Sequence, residues 1–181
     1  DRRLIEYLKE RFLPAHAERF TLVEEDACRV NFTALLQNHR YRCVSNLPYS
    51  ISTPVVMRLV ELNNRPVDMT LLLQTEVGQR FAAKPGTKDY GAASVVLQHF
   101  YTVNIVRKVP KTVFFPEPEV GSALVRLVPR ENADLADFYS TTGAIVECIR
   151  KIFTQRRKRL MKVASSQAPK AEVKKVFDRI G

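Results

Sequence analysis

Hydrophobic positions recur along most of the chain at spacings that separate helices from strands. Leu4, Ile5, Leu8 and Phe12 follow helical spacing, which predicts a helix over residues 2–13 stopped by Pro14. Phe20-Thr21-Leu22-Val23 reads as a strand running into the acidic cluster Glu24-Glu25-Asp26. Arg42-Cys43-Val44-Ser45 reads as another, halted by Asn46-Leu47-Pro48-Tyr49. Ser52-Thr53-Pro54 then opens a helix: a hydroxyl at the cap, proline in the first turn, and Val55, Val56, Leu59 and Val60 on one face. Val67 to Leu73 is a nearly unbroken apolar run, as expected of a strand buried on both faces of a parallel sheet. Glu76 to Ala83 and Ala92 to Phe100 carry helical spacing on either side of a Gly86 to Gly91 turn. Tyr101 to Val109 and Ser122 to Val128 follow as two strands joined by a proline-rich loop.

Strands alternating with helices, then a closing pair of adjacent strands, describe an α/β fold: an open sheet with an antiparallel edge. Beyond Pro129-Arg130-Glu131-Asn132 only helical pattern remains. We therefore expect one domain over residues 1–130 and a second, helical segment over 131–181. Its last helix, Ala171 to Ile180, gathers Val173, Val176, Phe177 and Ile180 on one side, with no evident partner for that face. Residue 1 is Asp and not Met, so both ends read as cut.

Charge adds a partner to this outline. The chain holds 29 Lys and Arg against 19 Asp and Glu, a net charge of +10. Seven of the thirteen residues from Arg150 to Lys162 are basic (Arg150, Lys151, Arg156, Arg157, Lys158, Arg159 and Lys162) and none is acidic, which leaves a surplus of only three elsewhere. So concentrated an excess points to a polyanion, although a charge run taken alone also fits a solvated helix face.

Other classes are disfavoured. At 45% hydrophobic and 27% charged, the composition is that of a folded chain. No stretch approaches the roughly 18 consecutive apolar residues of a membrane span, and the first residues have no secretory pattern. Cys28, Cys43 and Cys148 are odd in number and far apart, so they read as reduced thiols of a cytoplasmic protein. His16, His39 and His99 have neither zinc-site spacing nor a nucleophile to serve, so neither a metal nor a hydrolase triad is expected.

Two strand ends carry residues suited to ligands, and open α/β sheets bind ligands outside the carboxyl ends of their strands. Asp26 could accept a hydrogen bond from the amine of an adenine ring, though by itself it is equally an exposed turn carboxylate. Asn46-Leu47-Pro48-Tyr49 is sharper. Methylating the exocyclic amine of a base needs hydrogen-bond acceptors, because that nitrogen's lone pair is delocalised into the ring. The Asn46 carbonyl and the Leu47 backbone carbonyl can hold the NH2 and favour a tetrahedral nitrogen. Pro48 fixes the loop, and Tyr49 can stack on the base. Phe114, in the stiff run Phe114-Phe115-Pro116-Glu117-Pro118, can form a second stacking wall, or else is a buried ring in an ordinary connection.

These motifs together resemble the KsgA-type small-subunit ribosomal RNA adenine dimethyltransferases. The matching segments are Glu25-Asp26-Ala27, Ser45 to Pro54, Leu73-Gln74-Thr75-Glu76-Val77 and Pro85 to Gly91 with Ser94-Val95. The Phe-x-Pro-x-Pro-x-Val-x-Ser run from Phe114 to Ser122 and Phe153-Thr154-Gln155-Arg156-Arg157-Lys158 complete the set. The resemblance implies a class I methyltransferase sheet, a helical RNA-binding domain, and S-adenosylmethionine as cofactor. It further implies two methyl groups on each of two adjacent adenines near the 3′ end of small-subunit RNA. Asp26, Ala27 and Asn46 would meet the cofactor. Asn46, Leu47, Pro48, Tyr49 and Phe114 would handle a flipped-out adenine, and the basic segment would grip the backbone of the ribosomal RNA, the protein acting as a monomer. The family's Gly-rich cofactor loop has no counterpart, since the six glycines form no Gly-x-Gly pattern. We therefore expect these residues to be the middle of a longer enzyme and to bind the cofactor weakly or not at all by themselves. Two alternatives remain: the antibiotic-resistance branch that methylates large-subunit RNA, and a non-catalytic RNA-binding or transcription factor on the same fold.

Overall fold

The computed structural model describes residues 2–130, 142–155, 160–166 and 168–180. The chain forms two compact units, residues 1–31 and 32–181.

In the first unit, helix α1 (Arg2–His16) continues through Pro14, three residues past the expected stop. Phe12 packs its ring on Phe20 at a centroid separation of 5.5 Å, and Lys9 pairs with Glu24. The amides of Arg19 and Phe20 both donate to the carbonyl of His16, which turns the chain back. The expected strand at Phe20–Val23 is absent: these residues are irregular. A strand exists only where another strand completes its ladder, and among the described residues of this unit there is none.

The second unit is built on a four-stranded sheet. After the short helix α2 (Phe32–Leu36) come β1 (Arg42–Asn46), α3 (Tyr49–Glu61), β2 (Asp68–Gln74) and α4 (Thr75–Phe81). Then follow α5 (Ala92–Phe100), β3 (Tyr101–Val109) and β4 (Ser122–Pro129). The strand order is β1-β2-β4-β3. β1 and β2 are parallel, with Asn46 beside Leu72. β4 runs against both its neighbours, Gln74 facing Ser122 on one side and Val109 facing Ser122 on the other. The reversed strand is thus an insertion between β2 and β3, with β3 at the edge.

The core lies on one face of this sheet. Met69, Leu71 and Leu73 of β2 and Ala123, Val125 and Leu127 of β4 are wholly buried, under Val56 and Val60 of α3, Phe81 of α4, and Val96 and Leu97 of α5. Alternate residues of β2 are only half-buried, so the expectation of burial on both faces fails. On β1 the open face is plain, with Val44 80% exposed. Polar contacts pin the layers: the buried Tyr101 hydroxyl donates to the Pro66 carbonyl at 2.8 Å, and the half-buried Gln98 donates through Nε2 to the carbonyls of Phe81 and Ala83, both at 2.8 Å. Gly78 lets α4 lie directly on β4, since a Cβ there would come within 2.9 Å of Val125 Cγ2.

Among the described residues three further helices follow: α6 (Thr142–Thr154), α7 (Leu160–Ala164) and α8 (Lys170–Ile180). α6 packs on α3 and α5, burying Val146, and α8 buries Val173. Among the described residues, no helix is long and apolar enough to cross a membrane.

Candidate active site

The register of the sheet brings one set of chain ends to a single edge. β1 ends at Asn46 and β2 at Gln74, while β4 starts at Ser122 beside Gln74 and Val109. Both loops singled out in the sequence, Asn46–Tyr49 and the one from Pro110 to Gly121, therefore leave the sheet on the same side. They enclose an open cavity of about 380 Å³, lined by Asn46, Leu47, Pro48 and Tyr49 on one wall and Phe114, Phe115, Pro116 and Pro118 on the other.

Each wall is held by local chemistry. Leu47 turns its side chain against the core, which anchors the loop between two exposed neighbours, Asn46 and Pro48. Pro48, with φ −53° and ψ 139°, stands at the N-cap of α3 and delivers the chain into the helix at Tyr49. The helix therefore begins earlier than Ser52-Thr53-Pro54 suggested, and Pro54 lies inside it. The Ser52 hydroxyl does not cap; it donates back to the Tyr49 carbonyl at 3.0 Å. On the facing wall, the turn at Lys111–Val113 is tied by amides donating to Pro110 and Lys111, and Lys111 pairs with Glu117 at 2.8 Å. Phe114 is half-buried, whereas Phe115 is fully exposed.

One contact beside the cavity joins the start of α3 to the start of β4. The Tyr49 and Ser122 hydroxyls share a hydrogen bond of 3.0 Å, with Ser122 itself buried. Nothing local in the sequence announces this pairing, apart from the serine that closes the Phe-x-Pro-x-Pro-x-Val-x-Ser run. Phe115 lines the cavity beside Phe114, and the Phe-Phe doublet in the sequence marks both rings. Cys43, three residues before Asn46, is pushed above the ordinary thiol range by burial and so stays protonated and unreactive.

The remaining candidates are dispersed. Asp26 and Ala27 belong to the first unit, where Asp26 Oδ1 accepts the Cys28 amide at 2.8 Å and Oδ2 stands 3.9 Å from Arg29 Nε. Of the basic segment, Arg150 pairs with Glu61 of α3 and Lys151 with Glu147 at 2.8 Å, while Lys162 is exposed on α7. Arg156, Arg157, Lys158 and Arg159 lie outside the described residues. Among the described residues there is no group of three or more His, Cys, Asp or Glu that could hold a metal ion.

Comparison with known proteins gives this geometry its context. The crystal structure of a dimethyladenosine transferase from Plasmodium falciparum superposes with a TM-score of 0.73 at 27% identity, over 90% of this chain and 56% of that one. The fold is accordingly the class I methyltransferase α/β fold. The family model for ribosomal RNA adenine dimethylase matches residues 1–181, and the chain belongs to that family. Relatives named ribosomal RNA small subunit methyltransferase A include those of Acinetobacter baylyi and Aliivibrio fischeri. That of Acinetobacter baylyi is 41% identical over 146 residues, or 80% of this chain and 53% of the relative. That of Aliivibrio fischeri is 43% identical over 161 residues, or 87% of this chain and 57% of the relative. The chain thus spans little more than half the length of the relatives it matches.

Proposed function

We propose that the protein dimethylates N6 of two adjacent adenines near the 3′ end of small-subunit ribosomal RNA, using S-adenosylmethionine. The observation that carries this reading is the cavity at the carboxyl edge of the sheet, where an amide-bearing strand end and a proline-fixed turn face aromatic rings. The Asn46 amide oxygen and the Leu47 carbonyl accept the two N–H groups of the adenine amine and draw its nitrogen toward tetrahedral geometry. Tyr49 and Phe114 sandwich the base once it has left its stack, and the surrounding prolines keep that slot open and relatively dry.

The cofactor supplies a methyl group on a sulfonium, a carbon already primed for displacement. In the first unit Asp26 and Ala27, and in the second Asn46, each carry groups suited to contacting it. The donor set fits the adenine end: Asp26 commits Oδ1 to the Cys28 amide, and a carboxylate keeps further lone pairs for an amine donor. No strong base is needed, so orientation of the amine supplies most of the rate.

Residues 1–130 form the catalytic part in this reading, and residues 131–181 grip the RNA backbone through Arg150, Lys151, Arg156, Arg157, Lys158, Arg159 and Lys162. The partner is the small ribosomal subunit, met in the cytoplasm by a single copy of the chain. The names of the relatives favour the small subunit over the large, and the complete acceptor set favours catalysis over binding alone. The test uses the protein at the length its gene encodes, with purified small and large subunits from an unmethylated strain and methyl-labelled cofactor. Label on adenines of the small subunit alone is expected; label on the large subunit, or none on either, overturns the proposal.

A further inference from the structure

Ser122 sits where three parts of the site meet. It opens β4, it follows the aromatic loop directly, and it pairs across the sheet with both Gln74 and Val109. It is 1% exposed, and the preceding carbonyl, that of Gly121, accepts the Thr75 amide at 3.0 Å. Ser122 is therefore fixed by backbone on both sides. Tyr49 is placed quite differently. It occupies the first turn of α3, whose N-cap Pro48 makes no side-chain cap bond, and its ring is only half-buried beside an open cavity. The ring swings about its Cα–Cβ bond, and because the phenolic oxygen lies on the ring's own long axis, a restraint there limits that swing and fixes where the ring points. The Ser122 hydroxyl supplies that restraint at 3.0 Å.

We infer that Ser122 is a positioning residue that holds the Tyr49 ring pointing along one wall of the slot before a base enters. This deepens the methyltransferase reading above and rests on it. Ser122 does not touch the base; it acts through Tyr49. The restraint makes the ring's loss of rotational freedom a property of the empty site, so that less of it falls on the reaction step. It also ties the start of α3 to the start of β4, the strand that follows the aromatic loop. Affinity for RNA comes mainly from phosphate contacts, which are blind to the angle of one ring. Loosening the ring should therefore slow methyl transfer and leave RNA binding alone.

Four variants of the gene-length protein test this: Ser122→Ala, Ser122→Thr, Tyr49→Phe and the Ser122→Ala/Tyr49→Phe double. Tyr49→Phe keeps the stacking ring and removes only the tether, so it reports even where Ser122→Ala fails to fold. One neutral hydrogen bond corresponds to roughly a fivefold effect. Ser122→Ala and Tyr49→Phe should each lower kcat about fivefold with KM for the subunit unchanged, and the double variant should be no slower than either single. Ser122→Thr, which restores a hydroxyl, should recover most of the rate. Losses that multiply in the double variant, a change confined to KM, or wild-type kcat in Tyr49→Phe would each overturn the role of Ser122. A wild-type protein that methylates no subunit would instead overturn the methyltransferase reading, and the two failures are told apart in one experiment.

Discussion

Replacing Gly78 with Ala tests how the site edge is held in place. The added Cβ would stand 2.9 Å from Val125 Cγ2 and 3.4 Å from Ala123 Cβ. Ordinary carbon contacts lie at about 3.5–4.0 Å, so at least half an ångström or so must be found by something moving. Val125 cannot provide it: it is wholly buried in β4, and a β-branched side chain has little rotamer freedom. α4 must lift instead. Overpacking of this kind costs about 1–3 kcal/mol, and a stiff buried partner belongs in the upper half of that range. Alanine returns about 1 kcal/mol through its better helix propensity, which leaves a net loss of about 1–2 kcal/mol. In urea, followed by far-ultraviolet circular dichroism, the midpoint should fall by about 0.5–1 M for a slope near 2 kcal/mol per molar. Val125→Ala, damaging by itself, should cost less in the Gly78→Ala background because it clears the clash. An unchanged or raised midpoint for Gly78→Ala, with strictly additive effects in the pair, would falsify the close approach of α4 to β4.

Three other outcomes are expected. Asn46→Ala should abolish methylation while subunit binding stays nearly intact; surviving methylation would remove Asn46 from the mechanism. Changing Arg156, Arg157, Lys158 and Arg159 to Gln should flatten the slope of log affinity against log salt by about 3 and leave the choice of base untouched. Removing Arg150 and Lys151 should flatten it less, because both are already paired with carboxylates. The third outcome concerns pH. Partial burial, and then the neighbouring Arg130 and Arg65, hold the His99 imidazole below its ordinary 6.5. As pH falls the unfolded chain takes up this proton first, so the stability from neutral His99 is whole above 6.5 and is lost on acidification through the lowered folded value. His99→Gln should flatten that part of the stability curve, and an unchanged acid slope would refute the assignment.

What could be read without the structure depended on how local each signal was. The face of α3 carrying Val56, Leu59 and Val60 repeats within one turn, and Asn46 to Tyr49 holds its chemistry in four adjacent residues, so both were legible. Phe20–Val23 has the composition of a strand, but a strand also needs a neighbour, which the segment itself cannot announce. Ser52-Thr53-Pro54 has the chemistry of a helix start, yet Pro48 opens the helix first, a preference visible only once the chain is seen leaving β1. Tyr49 and Ser122 are 73 residues apart in sequence, and they meet only because β4 is inserted beside β2.

That insertion also orders the birth of the molecule. On a translating ribosome β1, α3 and β2 emerge before β4 and can pair first, but the other edge of β2 belongs to β4, the last of the described strands in chain order. β3 is synthesised earlier and must wait, since its described ladder is to β4 alone. Until residues 122–129 clear the exit tunnel, β2 carries a row of unmet amides and carbonyls and the cavity lacks its second wall. The four described strands and the second wall of the pocket therefore come together only once Ser122 and the rest of β4 have emerged.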